Sequence, residues 1–248
     1  MTLAGRAMDA PRSSRFAGSL GVEQAWVVIP AYRETQVLGP VVSRLRALGW
    51  RVVVVDDGSD DDTADVAESA GAWVIEHPVN LGQGAALRTG FAFVLADPTT
   101  QYVVTFDADG QHDPEAVAAL LEPLTTGAVT VTLGSRFLPG ADVSGKIPAT
   151  RKVLLRLATR LARWTTGLSL TDTHNGMRAF RRDALERIVL QQDRMAHASE
   201  ILSEIARLEL PYREVGVRIT YTAYSLSKGQ GLVDAVSVLW DLLIAKAR

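Results

Sequence analysis

The feature that most constrains this chain is segment 102–111, where a short apolar run is followed at once by two carboxylates. Tyr102 to Phe106 has the composition of a buried strand, and Asp107 and Asp109 follow with only Ala108 between them. Both carboxylates can turn outward from the end of such a strand and hold a divalent cation against a diphosphate. The pattern therefore predicts a metal-dependent site for a nucleotide-sugar, although Asp-Ala-Asp-Gly is also typical of an ordinary turn.

The composition is that of a folded domain with its own core. Of the 248 residues, 47% are hydrophobic and 22% are charged, which is enough apolar material for one substantial domain. The formal net charge of -2 argues against nucleic acid as a partner, because such binders carry a basic excess. The absence of cysteine excludes disulfides and thiolate metal sites.

Both ends of the chain differ from the middle. Residues 1–24 carry arginines among Gly, Ser and Pro but lack the apolar segment of a signal peptide, so we expect a disordered leader and a cytoplasmic location. No run approaches the ~20 apolar residues that span a bilayer. Residues 229–248 are interrupted by acidic and basic side chains and predict an amphipathic C-terminal helix.

The body of the chain alternates between two hydrophobic periods, one of strands and one of helices. Strands are expected at 25–30, 51–55, 72–75, 102–106 and 129–133, and helices at 37–48, 60–70, 82–95 and from 113 onward. Asp61 or Asp62 is expected to cap the second helix, and Asp113 with Pro114 to begin the fourth. The alternation predicts an α/β fold, with an open, mainly parallel sheet flanked by helices. Beyond Gly140 it gives way to longer helices.

Three polar motifs follow predicted strands, at 30–34, 56–59 and 107–109. In an open α/β sheet, ligands bind in the crevice outside the carboxyl ends of the strands, so we expect the three motifs to face one crevice. A nucleotidyltransferase shares the alternation and the paired acids. It would normally carry a glycine-rich basic loop after the first strand, and Pro30-Ala31-Tyr32-Arg33-Glu34 is not such a loop.

Five motifs together resemble the family-2 inverting glycosyltransferases, and within them the dolichyl- or polyprenyl-phosphate mannose and glucose synthases. They are Val28 to Glu34, Val54 to Ser59, Asn80 to Ala85, Phe106 to Gln111, and Gly134-Ser135-Arg136. The resemblance covers about residues 25–228, which we take as the catalytic domain. It implies the glycosyltransferase A-type, nucleotide-sugar-binding fold.

The resemblance also implies the residues on the donor side. Those expected to contact the nucleotide-sugar are Pro30, Ala31, Tyr32, Glu34, Asp56, Asp57, Gly84, Asp107 and Ala108. Those expected to bind Mg²⁺ or Mn²⁺ are Asp107, Asp109 and Gln111, with Asp109 also counted as catalytic. His112 is either a further ligand or a polar turn residue. GDP-mannose and UDP-glucose are the leading donors.

On the acceptor side, the resemblance implies that Arg136, Arg151 and Lys228 hold the phosphate of a polyprenyl-phosphate lipid. Arg136 and Asp172 are also expected to be catalytic, in a direct displacement that inverts the anomeric carbon. Because a phosphate monoester is already anionic, Asp172 would orient the site rather than act as a base. The alternative is a sugar-hydroxyl acceptor in cell-surface polysaccharide assembly, for which Asp172 or Glu200 would be the base.

Attachment to a membrane is a separate expectation. Relatives of this type often carry transmembrane helices after the catalytic domain, and this chain stops at Arg248 without them. Residues 151–164 place cations at 152, 156, 160 and 163 along one helical stripe, beside several leucines and Trp164. This pattern fits a helix at an anionic bilayer surface, and equally a core-packed helix with a solvated basic face. We expect a peripheral location at the inner face of the cell membrane, held by this helix, by the C-terminal helix or by a small membrane protein.

Overall fold

A computed structural model describes residues 22–138, 141, 143–144, 149–173 and 175–221. The strands are β1 (Ala25–Ala31), β2 (Arg51–Asp56), β3 (Trp73–Glu76), β4 (Tyr102–Thr105), β5 (Val131–Ser135), β6 (Val143–Ser144), β7 (Arg178–Arg181), β8 (Tyr212–Gly216) and β9 (Ile219–Thr220). The helices are α1 (Leu38–Ala47), α2 (Thr63–Ser69), α3 (Gln83–Leu95), α4 (Ala116–Thr125), α5 (Ala149–Thr166), α6 (Arg182–Leu185) and α7 (His197–Arg207).

The described strands form a seven-stranded sheet in the order β3-β2-β1-β4-β7-β5-β8, and β6 and β9 form a small second sheet. Strands β3, β2, β1 and β4 are parallel, and β8 is parallel to β5. Only β7 runs the other way among the seven, between β4 and β5. The prediction of an open, mainly parallel sheet flanked by helices is confirmed.

The core lies on both faces of this sheet, as alternate residues of β1 show. Val27 and Ile29 join the apolar cluster that includes α1 and α4, whereas Trp26 and Val28 join the cluster that includes α3 and α7. Every residue of β1 is buried. A strand covered on both faces has no solvent side, which is why β1 and β2 are continuous apolar runs rather than alternating ones.

Two helix starts were predicted from acidic residues, and the structure refines both. Asp62 is the N-cap residue of α2 without a side-chain capping bond, while Oδ1 of Asp61 accepts the N–H of Thr63 at 3.2 Å. Asp113 accepts the N–H of Glu115 at 3.0 Å in a tight turn. The helix α4 itself begins only at Ala116.

The second half of the chain holds the strands that the sequence pattern did not predict. Strand β7 has four residues and β8 is half exposed with charged side chains, so neither shows a clear apolar period. Strand β5 also begins two residues later than expected, at Val131.

The predicted ends of the chain fall mostly outside the described residues. Val22–Gln24 forms a 3₁₀-helix, so regular structure begins slightly before the expected domain start at residue 25. Residues 1–21 and the predicted C-terminal helix at 229–248 lie outside the described residues. None of the helices that the structure describes has the length and apolar character needed to cross a membrane.

Candidate active site

The three strand-end motifs lie at one edge of the sheet, because β2, β1 and β4 are adjacent and parallel. The backbone joins them directly. The N–H of Asp57 donates to the carbonyl of Ala31 at 2.8 Å, and the N–H of Phe106 donates to the carbonyl of Val28 at 3.0 Å. Three loops that are separated in sequence therefore meet in one place.

The carboxylate of Asp107 is the centre of this edge. Its side chain is 28% exposed, it lies 3.1 Å from Nε2 of His112, and it accepts a hydrogen bond from Nε2 of Gln83 at 3.2 Å. Gln111, the third predicted metal ligand, donates two hydrogen bonds to Asp109. Its backbone N–H donates at 3.0 Å and its side-chain amide at 2.7 Å. Oxygen-bearing side chains are thus concentrated on the loop after β4.

The two carboxylates have opposite pKa shifts. Burial raises the pKa of Asp109 to about 6, and the negative charge of Asp107 adds to the effect. Burial also opposes ionisation of Asp107, but the hydrogen bond with His112 and the electrostatic contributions of His112, His197 and Arg178 together lower its pKa. Two carboxylates close enough to suppress ionisation of one of them form a site that a cation would stabilise.

Segment 175–178 packs against Asp107, and the sequence motifs did not assign its residues to the site. A Cβ on Gly176 would overlap the Asp107 carboxylate, so only glycine fits there. Arg178 is 4% exposed and donates to the carbonyl of Ala198 at 3.0 Å. Burial lowers the pKa of Arg178 to about 10, against the opposing charges of Asp107 and Asp172.

Three buried polar atoms in this region have no hydrogen-bond partner among the described residues: Nη1 of Arg178, Nδ2 of Asn175 and Nδ1 of His112. Nη1 and Nδ2 are donors. Buried donors without an acceptor are rare in folded proteins. Sequence alone did not show that these two donors would be buried.

The carboxylate of Asp57, predicted to face the nucleoside, also organises the neighbouring loop. It accepts the N–H groups of Leu81 at 3.0 Å and Gly82 at 2.7 Å, and it lies 2.8 Å from Nδ1 of His77. The other nitrogen of His77 lies 2.9 Å from the hydroxyl of Thr89 in α3. This network fixes the loop that leads into α3 and to Gln83, which contacts Asp107.

The loop after β1 has a defined conformation that its neighbours stabilise. Arg33 has a positive φ of 56° and donates its N–H to Oγ of Ser59 at 2.9 Å. Ser59 in turn donates its N–H to Asp56 at 3.2 Å. Tyr32 is 38% exposed and Glu34 is buried, with the Glu34 charge contributing to the raised pKa of Asp109. Glu34 therefore lies close to the paired carboxylates.

Gly84 was expected to contact the nucleotide-sugar. In the structure, its Cα is crowded by another segment of the protein. A Cβ there would overlap the carbonyl oxygen of Gln192 and contact the Cβ of His197. The glycine is required because α3 packs against segment 192–197. The carboxylate of Glu200 holds that segment by accepting the N–H groups of Gln191 and Gln192 at 3.0 Å.

The predicted acceptor residues Arg136 and Asp172 form one buried ion pair. Nε of Arg136 lies 2.6 Å from Oδ2 of Asp172, and the side chains are 6% and 1% exposed. The same oxygen accepts the backbone N–H of Arg136 at 3.2 Å, and Nη1 of Arg136 donates to the hydroxyl of Tyr221 at 3.0 Å. Burial would lower the pKa of Arg136, but Asp172 and Tyr221 outweigh it and raise the pKa.

Glu214 on β8 is a further residue that the motifs did not indicate. Its carboxylate accepts the N–H groups of Thr171 at 2.7 Å and Asp172 at 3.0 Å, which sets the position of the ion pair. The remaining predictions for the acceptor side cannot be placed in this way. Lys228 lies outside the described residues, as does the side chain of Arg151.

Comparison with known proteins identifies the family. Residues 26–189 match glycosyl transferase family 2. The chain is 32% identical over 213 residues to the polyprenol monophosphomannose synthase of Mycolicibacterium smegmatis, covering 82% of this chain and 79% of the relative. It is 28% identical over 243 residues to the UDP-N-acetylglucosamine–dolichyl-phosphate N-acetylglucosaminyltransferase of Methanococcus voltae, covering 89% and 95%.

Among solved structures, the chain resembles a glucosyl-3-phosphoglycerate synthase from Mycobacterium tuberculosis, crystallised with Mn²⁺, UDP-glucose and phosphoglyceric acid. The TM-score is 0.67 at 23% identity, covering 90% of this chain and 80% of the other. This likeness confirms the glycosyltransferase A-type fold. With the family match over more than half of the chain, it follows that the chain belongs to glycosyl transferase family 2 and is a glycosyltransferase.

Proposed function

We propose that this enzyme transfers a hexose from a nucleoside-diphosphate sugar to the phosphate of a polyprenyl or dolichyl lipid, with inversion at the anomeric carbon. GDP-mannose and UDP-glucose are the proposed donors. The observation that carries the proposal is the buried Arg136–Asp172 pair at the carboxyl end of β5, on the same edge of the sheet as the paired carboxylates, because β4 and β5 are both antiparallel to β7. Two relatives whose names specify polyprenol or dolichyl phosphate chemistry support it.

The donor side fits a divalent cation. Asp107 and Asp109 supply hard oxygen ligands, and the raised pKa of Asp109 reflects negative charge that a cation would neutralise. Gln111 is the proposed third ligand. Within the described residues no three His, Cys, Asp or Glu side chains converge on one point, so donor oxygens are expected to complete the coordination. A bound Mg²⁺ or Mn²⁺ would stabilise the negative charge of the departing nucleoside diphosphate.

The protein itself would contribute alignment and fixed positive charge. Nη1 of Arg178 and Nδ2 of Asn175 are buried hydrogen-bond donors without a partner among the described residues, in the segment that packs against Asp107. An oxygen atom of the nucleotide-sugar would accept hydrogen bonds from them. Glu34, Tyr32 and the backbone at Pro30 and Ala31 are the proposed contacts of the nucleoside. Asp57 is proposed to serve this pocket mainly through the loop that it holds.

The state of Asp172 favours a phosphate acceptor over a hydroxyl. A general base must be able to reach the proton that it removes. One oxygen of Asp172 instead accepts two hydrogen bonds from Arg136, one from the backbone N–H and one from Nε. A phosphate monoester needs no deprotonation, so in this proposal Asp172 orients Arg136, and Arg136 contacts the acceptor phosphate. Arg151 and Lys228 remain proposed as its additional cations.

The closing experiment offers each donor, with Mg²⁺ or Mn²⁺, to a short-chain polyprenyl phosphate and measures radiolabel extracted into organic solvent. Label from GDP-mannose or UDP-glucose, lost when EDTA is added, would confirm the proposal and identify the sugar. If the donor is hydrolysed in a metal-dependent way but the lipid is never labelled, the acceptor is a sugar hydroxyl, as in polysaccharide assembly. A small membrane protein that is needed for activity would be revealed if label appears only with membranes added.

A further inference from the structure

His112, for which the sequence allowed either a metal ligand or a turn residue, is buried beside Asp107. Its side chain is 4% exposed. Its backbone pairs with that of Ile219 in an antiparallel bridge, and its ring meets the buried ring of Phe106 edge-on, with centroids 5.6 Å apart. A polar residue of an ordinary turn would face solvent. His112 is instead held in one orientation through both its backbone and its ring.

The two ring nitrogens of His112 are both turned away from a metal ion. Nε2 lies 3.1 Å from Oδ2 of Asp107. An ionised carboxylate has only acceptor atoms, so Nε2 carries the hydrogen of this bond. Nδ1 is buried and has no hydrogen-bond partner among the described residues. A histidine ligand needs a ring nitrogen whose lone pair faces the ion, and His112 offers none.

The carboxylate of Asp107 is held on both of its oxygens. Oδ2 faces His112, and Oδ1 accepts a hydrogen bond from Nε2 of Gln83, the first residue of α3, at 3.2 Å. Gly176 lies against the same carboxylate, because a Cβ there would overlap it. Since a carboxylate has about four lone-pair positions, these two donors leave positions on both oxygens for a cation.

We infer that His112 is a positioning residue for metal binding: its Nε2–H, with the side-chain amide of Gln83, fixes the orientation of Asp107 and thereby sets the affinity for a divalent cation. Asp109 differs, because Gln111 of its own loop holds it. Hydrogen-bond partners behind a metal ligand typically account for about 10- to 100-fold in metal affinity. The inference rests on the metal site of the proposed function, but on neither the donor sugar nor the acceptor.

The test measures Mn²⁺ binding rather than turnover. The full-length protein is titrated with Mn²⁺ in the presence of UDP or GDP, and the free ion is followed by its electron paramagnetic resonance signal. Electron spin echo modulation of the bound ion then shows whether a protein nitrogen is coordinated to it. Thermal unfolding of each variant is recorded in parallel.

Three variants and one control separate the roles. His112→Phe keeps a ring against Phe106 but removes the donor to Asp107, and should lower Mn²⁺ affinity about tenfold. His112→Gln should recover most of the affinity, because its amide can donate to the same oxygen. Gln83→Met removes the other donor and should cost about threefold, since Gln83 is half-buried. Asp113→Asn in the same loop should bind like the wild type.

The inference is overturned if His112→Phe binds Mn²⁺ as tightly as the wild type, or if His112→Gln binds as weakly as His112→Phe. If His112→Phe does not fold, unchanged affinity in Gln83→Met overturns it instead. Nitrogen coupling that is present in the wild type and lost in His112→Gln would make His112 a ligand and overturn the inference, as would a wild type that binds no Mn²⁺ with either nucleotide.

Failure of the proposed function looks different. In that case the Mn²⁺ affinities of the variants would follow the expected order, while no polyprenyl phosphate of any chain length becomes labelled from any donor.

Discussion

The donor edge and the acceptor end of the crevice are built in different ways. At the donor edge, the loops after β1, β2 and β4 are short and begin directly at the ends of adjacent parallel strands. At the acceptor end, Arg136 follows β5, Asp172 lies 36 residues later, and Glu214 and Tyr221 come from near the end of the described chain. The motifs of the first are brought together by adjacent parallel strands, whereas those of the second are brought together only by contacts between distant segments.

This difference predicts which of two reactions, hydrolysis of the nucleotide-sugar and transfer to the acceptor, each substitution will affect. Changes at the donor edge should stop both donor hydrolysis and transfer. Changes at the acceptor end should separate the two reactions, because the donor site would stay intact.

The largest effect is expected from Asp109→Asn. Replacing the carboxylate with an amide of the same shape removes a charged metal ligand, so metal-dependent turnover should fall about a thousandfold for both hydrolysis and transfer. Initial rates across a Mn²⁺ titration would measure it. Asp113→Asn is the control, since an amide oxygen can still accept the Glu115 N–H in the same loop. Near-normal rates for Asp109→Asn at saturating metal would remove this residue from the site.

The next largest effect concerns the buried ion pair, and it tests the acceptor directly. Asp172→Asn keeps an oxygen for Arg136 but abolishes any basic function. With a phosphate acceptor, transfer should weaken about tenfold, mainly through a higher KM for the acceptor, and donor hydrolysis should persist. With a hydroxyl acceptor that Asp172 deprotonates, kcat for transfer should fall by about 10²–10⁴.

Arg136→Ala provides the second half of that test. It leaves the buried Asp172 carboxylate without its partner, which is expected to destabilise the fold by about 3–5 kcal/mol. Arg136→Lys is the better kinetic variant, because it keeps the charge but loses the planar fork. We expect it to raise the acceptor KM and leave the donor KM unchanged. An unchanged acceptor KM would exclude Arg136 from the phosphate site.

The same contrast explains what the sequence could predict. Strand ends marked by Asp56-Asp57 and Asp107-Ala108-Asp109 were found because a strand and its following loop are contiguous, and the open, mainly parallel sheet followed from the β/α alternation. The roles of Arg178, Asn175 and Glu214 could not be predicted, since each depends on the antiparallel β7 or the short β8. Neither strand has a readable hydrophobic period. Gly84 shows the same limit, because its crowding comes from Gln192, far along the chain.

His197 lies on α7 near Asp107 and Arg178, and it should make stability depend on pH. Burial lowers its pKa to about 4, from 6.5 in an unfolded chain. Between these values the unfolded chain binds the extra proton, so this contribution is complete above about pH 6.5 and is lost as the pH falls toward 4. The raised pKa of Asp109 acts in the opposite direction between 3.8 and about 6.

The His197 contribution can be isolated by comparison with His197→Gln. Urea unfolding at several pH values should show the wild type losing about 2–3 kcal/mol relative to the variant between pH 7 and pH 4. The comparison cancels Asp109 and the other carboxylates, which both proteins share. Parallel stability curves for the two proteins would mean that the fold does not lower the pKa of His197.

The smallest effect is expected at His77, which contacts Asp57 at the donor edge and Thr89 in α3. His77→Ala removes one of three contacts to Asp57 and the contact to Thr89, but the N–H bonds of Leu81 and Gly82 to Asp57 remain. We therefore expect a loss of about 1 kcal/mol in unfolding free energy and a several-fold higher donor KM, with the acceptor KM unchanged. His77→Asn should recover part of the loss, because its amide can donate to Asp57. A change in acceptor KM instead would mean that the two halves of the crevice are coupled, and the division between them would have to be abandoned.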